Sequence, residues 1–249
     1  MHYKVHDFDN ARRRMQQQLI RMGWVKRKCP YPTTDKVELR AEYDSPHVEN
    51  LTFSFENHLK KINPTGEAYY ALEMRCYDIM HLAWRCNQNN PNNRHPLDTL
   101  DAFGICRNYM LNGLTWDYGT KEKDSRGTIK VIDWEHPEQN TFEFVQGWRG
   151  ALNDGFGWDF VLLVNAIPLG GIVIEAGDSC QEALDLAQYQ LDKDFQFPVY
   201  CHTLVVSNGE KMMMGDPWME LDEFQEIGTL KEALRPVDYL MNRIKTIPD

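Results

Sequence analysis

The sequence predicts an α/β (α+β) fold: a helical lead-in, then a run of strands, then a strand-helix-strand unit. Three observations carry this. Residues 7–23 place Phe8, Ala11, Met15, Leu19 and Met22 three or four apart, the spacing of a one-sided helix. After Gly113 the apolar period changes to two, as strands require. Ser179, with Glu182 three residues on, marks a helix start between apolar segments at 172–176 and 199–207. The chain of 249 residues is long enough for a sizeable core. Residues 1–112 read as a mostly helical N-terminal region and 113–249 as the sheet-bearing core with a C-terminal helix, the two forming one compact unit.

Taken in order, Gly23-Trp24 ends the first helix. Alternation at Val37, Leu39, Leu51, Phe53 and Phe55 predicts short strands within 37–55. A second helix begins at Thr65 and reaches about Trp84. An Asn-rich loop spans Asn87 to His95. Pro96 opens a third helix that stops near Asn112-Gly113. Strands follow at 114–118, 128–132, 141–145, 159–165 and 172–176, then a helix from Cys180 to about Phe195. Val199 to Ser207 is a strand, turned at Asn208-Gly209 into a hairpin with 211–214. Residues 219–245 read as mostly helical, interrupted at Pro236.

Composition excludes several classes. No apolar run approaches a membrane span, and Met1-His-Tyr-Lys-Val-His-Asp7 has no apolar signal core. The expectation is a cytoplasmic protein with no membrane association. Six cysteines without a C-x-x-C pair fit reduced thiols, not zinc ligands or a disulfide framework. Cys180, near a helix start, is a thiol whose pKa a helix end would lower, but no paired His is visible and it reads as a structural thiol. The histidines show no metal spacing, and no G-x-x-x-x-G-K-[ST] motif is present, so the sequence carries no recognisable ATPase motor. The net charge of -10 leaves only local basic patches for gripping nucleic acid: Arg12-Arg13-Arg14, Lys26-Arg27-Lys28, Lys60-Lys61 and the lysines and arginine within 121–130. Each patch reads first as a solvated face.

The chemistry concentrates in Trp158-Asp159-Phe-Val-Leu-Leu-Val-Asn165 and Gly171-Ile-Val-Ile-Glu175. Asp159 begins one buried strand and Glu175 ends the next. With residues 165–171 as the turn, the strands run antiparallel and the acids meet at one sheet edge. Two hard carboxylates there suit Mg2+ (or Mn2+), with water and a substrate phosphate completing its shell. Such an ion polarises a phosphate and activates water.

Residues 112–209 resemble the N-terminal nuclease domain of type I restriction enzyme R subunits. The resemblance rests on Asn112-Gly-Leu-Thr-Trp-Asp-Tyr118, Val131-Ile-Asp-Trp-Glu-His-Pro-Glu-Gln-Asn140, Phe142-Glu-Phe-Val-Gln146, Asp159 to Asn165, Ile167-Pro-Leu169, Val173-Ile-Glu175 and Leu204-Val-Val-Ser-Asn-Gly209. Leu19-Ile-Arg-Met-Gly-Trp24 is similar to the end of that domain's opening helix. The resemblance implies a restriction-endonuclease-like mixed sheet flanked by helices, of the PD-(D/E)xK superfamily. It implies Mg-dependent DNA endonuclease activity, with DNA and other restriction-modification subunits as partners. Asp159 and Glu175 would be metal-binding and catalytic acids, and the helix after them would carry a Gln-x-x-x-Tyr motif.

The sequence departs from the family in three places. Gly177 stands where a lysine follows the second acid. The Asp159 to Glu175 interval is two residues longer than usual. Either Gly170-Gly171 is an insertion in the turn, or Glu175 occupies the lysine slot with Val173 in the acid's place. Neither Gln190-Leu-Asp-Lys-Asp194 nor Gln188-Tyr-Gln-Leu-Asp192 ends in tyrosine. Gln190 is the candidate supporting residue and Lys193 the candidate replacement cation. The lost lysine predicts slow or absent cleavage on an intact fold, and a catalytically inactive binding or assembly module is the alternative.

Overall fold

The computed structural model describes residues 5–27, 57–63, 99–117, 126–148, 158–175, 177–193 and 203–230. The strands expected within 37–55 and the helix expected from Thr65 lie outside these residues. Helix α1 spans Val5–Arg21 and buries Ala11, Met15 and Leu19, with Phe8 and Met22 packed at the margin. Gly23, at φ +90, turns the chain out of the helix, and the Trp24 N–H bonds the Leu19 carbonyl at 3.0 Å. The buried Trp24 ring meets Phe142 edge-on at 5.5 Å, which locks the helix end onto the sheet. A short strand, β1 (Val25–Arg27), follows at once where the sequence suggested only a basic patch.

Helix α2 (Thr99–Asn112) ends at Gly113, φ +74. Strands β2 (Leu114–Asp117) and β3 (Arg126–Ile129) form a separate antiparallel pair. The central sheet adds β4 (Phe142–Trp148), β5 (Trp158–Val164), β6 (Ile167–Ile174), β7 (Thr203–Ser207), β8 (Met212–Gly215) and β9 (Gln225–Ile227). Its order is β1-β4-β5-β6-β7-β8-β9. The β1/β4 and β6/β7 pairs are parallel and the rest antiparallel, so the sheet is mixed. Helix α3 (Gln181–Lys193) makes the β6 to β7 crossover and packs on both strands. Ser179 lies just before it, and its hydroxyl accepts the Gln181 N–H at 3.0 Å.

Three expectations need correction. The strand expected through Ile132 stops at Ile129, because Asn63 captures Lys130. Its side chain accepts the Lys130 N–H at 2.8 Å and donates to the Lys130 carbonyl at 2.9 Å. Residues 221–223 form a 3-10 turn and 225–227 form β9, where a helix was expected. Phe224 and Ile227 bury themselves at the sheet edge, and the Phe224 ring fills the space a side chain at Gly215 would take. Residues from 231 on lie outside the described chain.

The third correction concerns the turn between β5 and β6. It is only Asn165-Ala166, at φ 50 and φ 67, the paired left-handed geometry that matches strand twist. Gly170 and Gly171 therefore belong to β6. A Cβ at Gly170 would crowd Leu162 at 3.2 Å and the Thr203 carbonyl at 3.3 Å, so glycine lets three strands close up. The register shifts where Leu162 faces Gly170 and Leu163 faces Pro168, leaving Leu169 as an extra residue in the strand.

A buried amide network holds this hairpin. Asn165 accepts the Thr141 N–H at 2.9 Å and donates to the Val131 carbonyl and to Asn140 Oδ1, both at 2.9 Å. Asn140 in turn accepts the Asp133 N–H at 2.9 Å and donates to the Asp133 and Pro137 carbonyls at 2.8 and 3.0 Å. Trp134 adds a bond to the Met110 carbonyl at 2.8 Å, tying the loop to the end of α2. Truncating Asn140 strands buried partners on both sides. Asn140→Ala is expected to lower stability by about 2–4 kcal/mol, read as a shifted urea midpoint.

On β4, Glu143 meets Arg27 Nη1 at 3.4 Å and His58 Nε2 at 3.7 Å, and His58 Nδ1 pairs with the Thr141 hydroxyl at 2.8 Å. His58 foremost, against the opposing effect of burial and with Arg27 assisting, holds the Glu143 carboxyl below its ordinary value. A depressed acid contributes stability above its unfolded pKa and loses it as pH falls through the folded value. Relative to Glu143→Gln, the wild-type urea midpoint should therefore fall as pH drops below about 4.5. An unchanged difference across that window would remove the ion pair from the fold's acid sensitivity.

Candidate active site

Asp159 stands at the start of β5 with its carboxylate almost out of water, 9% exposed. The β5/β6 ladder pairs Phe160 with Ile172. Continuing that register sets Asp159 across from Val173, on the face that Glu175 shares two residues later. Beyond the last backbone pair, the Asp159 side chain supplies the next rung: Oδ2 accepts the Ile174 N–H at 2.7 Å. Glu175 directly follows β6, and its N–H bonds the Ser207 carbonyl at 3.0 Å, so β7 fixes its backbone. The two acids are neighbours in charge as well as in register. Burial pushes the Asp159 carboxyl above its ordinary value, Arg12 and the Ile174 amide pull it back, and Glu175 adds to the rise.

Arg12 is the residue that sequence reasoning missed. Its Nε donates to Asp159 Oδ1 from α1, across 147 residues, and its Nη1 lies 3.9 Å from Asp9. The signal lay in the Arg12-Arg13-Arg14 triplet. Because Ala11 and Met15 are the buried positions of α1, Arg12 lies at the edge of that apolar face, within reach of the sheet. The rest of the triplet is also engaged. Arg13 and Arg14 line a cleft of about 780 Å³, together with Asn10, Gln17, Gly177 and Asn208. Asp178 and Glu210 form part of its wall, and Arg14 Nη2 donates to the Gly209 carbonyl at 3.2 Å.

The side-chain space at Gly177 is filled from α3. A Cβ built on Gly177 would overlap the carboxylate of Glu182, which the Ser179 hydroxyl reaches at 3.2 Å. An acid therefore covers this position. Gln190 is buried in the stripe of α3 that also carries Ala183, Ala187 and Leu191. At about 1.5 Å of rise per residue it sits roughly 14 Å along the axis from Gln181, with Lys193 roughly 18 Å along. The Lys193 side chain lies outside the described residues. The hairpin thus sets Asp159 and Glu175 on one face at one end of the sheet, while α3 carries Gln190 and Lys193 progressively away from its own start.

Cys180 is the structural thiol that the sequence favours. It is buried, and burial pushes its thiol pKa up despite the adjacent helix start. Among the described residues, no group of three or more His, Cys, Asp or Glu is placed to hold a metal ion. The candidate donor set is the acid pair itself, two hard carboxylates of the kind a divalent cation takes as ligands. Among the described residues, no helix is long and apolar enough to cross a membrane.

A mixed seven-stranded sheet, with helices packed on it and an acid pair at the end of its central hairpin, defines a restriction-endonuclease-like fold. Residues 9–219 match the family described as type I restriction enzyme R protein N terminus, and the chain belongs to that family. A comparison with curated proteins gives no match.

Only the tip of an exposed, flexible glutamate occupies the side-chain space of Gly177. Gly177→Lys is therefore expected to fold with a urea midpoint within about 1 kcal/mol of the parent. A loss well beyond that would mean Glu182 cannot move aside.

Proposed function

We propose that this chain is a divalent-metal-dependent DNA endonuclease module of the type I restriction R-subunit kind, acting on phosphodiester bonds. The supporting observation is the acid pair: a nearly buried Asp159 carboxylate at the end of the β5/β6 hairpin that also carries Glu175. A separate cleft, lined by Arg13 and Arg14 of α1 and by Gly177 two residues after Glu175, offers positive charge. Asp159 and Glu175 are the proposed ligands of Mg2+ or Mn2+. Bound there, the ion would polarise the scissile phosphate and lower the pKa of a water. The Ile174 amide orients Asp159, and the Ser207 carbonyl fixes the backbone that carries Glu175. Arg13 and Arg14 hold the DNA backbone by its phosphates and supply a local positive field on an acidic chain. Gln190 is proposed to support the site from α3, and Lys193 to supply a distant positive charge. Other restriction-modification subunits are the proposed protein partners.

A second reading, a nuclease fold kept for binding or assembly, is favoured by a specific observation. Gly177 offers no cation, and the Glu182 carboxylate fills its place. Losing one charge-stabilising donor costs roughly 100- to 1000-fold in rate. The first reading therefore expects slow Mg-dependent nicking of supercoiled plasmid, abolished in Asp159→Ala and raised roughly 100-fold or more in Gly177→Lys. Equal nicking by the parent and Asp159→Ala would remove catalysis from this site. No cleavage by either the parent or Gly177→Lys, with DNA binding retained, would leave the binding module.

A further inference from the structure

We propose that Arg12 is the resident counter-ion of the acid pair, and that DNA phosphate draws it off Asp159 to let a divalent ion in. The inference rests on the metal-site reading above and deepens it. Both oxygens of Asp159 are engaged, Oδ1 by the Arg12 guanidinium and Oδ2 by the Ile174 amide. A carboxylate this well buried, beside a second acid, needs a positive partner. Arginine keeps its charge at every relevant pH, so the partner is permanent. A divalent ion on Oδ1 would share one carboxylate with the guanidinium, and the two positive charges repel. Metal entry therefore requires Arg12 to leave.

The surroundings give Arg12 somewhere to go. Its side chain is 40% exposed, so it already reaches solvent. Arg12 itself stays outside the cleft that Asn10, Arg13, Arg14 and Gln17 line on another face of α1. A phosphate brought to the acid pair offers Arg12 a bidentate partner in exchange for Asp159. The exchange couples the two ligands: DNA raises metal affinity, and by reciprocity metal raises DNA affinity. It also makes Arg12, not a lysine at 177, the cation nearest the reacting phosphate.

The test is Mn2+ binding by the full chain, followed by the free-ion electron paramagnetic resonance signal, with and without a short duplex and with duplex-only binding subtracted. The wild type is expected to bind Mn2+ weakly alone and roughly tenfold more tightly with duplex. Arg12→Gln is expected to bind Mn2+ alone roughly tenfold more tightly than the wild type and to gain nothing further from duplex. Circular dichroism melting confirms that the variant is folded. The wild-type coupling is read without any variant, so the absence of a gain on adding duplex overturns the proposal by itself. Arg12→Gln binding no tighter than the wild type, while Asp159→Ala still abolishes binding, also overturns it and leaves the metal site standing. Binding that is absent from all three proteins, or equal in all three, sinks the metal site and this proposal with it.

Discussion

The register of the β5/β6 hairpin is the constraint on which the site depends. Side chains alternate faces along a strand, so a slip of one residue would send Asp159 and Glu175 to opposite sides of the sheet. Three features forbid that slip. The Asn165-Ala166 turn sets a two-residue loop. The Asn165 side chain is clamped by Thr141, Val131 and Asn140 at one end of the hairpin. At the other end, the Asp159 carboxylate accepts the Ile174 amide, so the candidate catalytic acid is itself part of the ladder. The extra residue at Leu169 is absorbed between these two anchors without disturbing either. That one extra residue shifts the register so that Asp159 falls opposite Val173, on the face Glu175 shares.

The family-bearing motifs divide into two physical kinds. Asp133, Asn140 and Asn165 do structural work at the turn end of the hairpin, opposite the end that carries the acids. They satisfy buried backbone groups in a loop that no strand covers, at a cost of polar burial repaid only when every bond is made. Asp159 and Glu175 belong to the other kind, placed at the sheet end where a ligand can arrive. A motif match alone does not separate them, because both are polar residues in apolar surroundings. Counting bonds does: Asn140 has its donors and acceptor turned inward, whereas the charge on Asp159 is balanced by one movable side chain.

Much of this was legible in the sequence, and the failures have definite causes. The 3.6-residue period of α1 and the apolar strands at 158–164 and 167–174 follow from side-chain geometry alone, as does the placement of Asp159 and Glu175 at one end of the hairpin. The short β9 was missed because three residues cannot display a period. The end of β3 was missed because a side chain from residue 63 decides it. The parallel β1/β4 and β6/β7 pairs depend on tertiary neighbours. The rise in the Cys180 pKa reflects burial, which outweighs the helix-end effect that sequence position suggested. Arg12 was visible as part of a basic triplet, yet its contact with Asp159 spans 147 residues, and nothing in local spacing reports it.

Charge neutrality at the acid pair gives these observations one explanation. Two neighbouring carboxylates, one of them nearly buried, cannot sit without a cation, whether or not the family's lysine is present. In this chain the covalent candidates near the second acid are Gly177, with no charge, and Glu182, with the wrong one. The missing positive charge comes instead from α1, carried by a side chain long enough to reach Asp159 and exposed enough to leave it. A lysine held beside the acids would be fixed in place by the strand that carries it. An arginine brought from a separate helix couples the electrostatics of the site to the position of α1. With no cation at Gly177, the positive charge facing Asp159 is carried by Arg12, on an element separate from the strands that hold the acids.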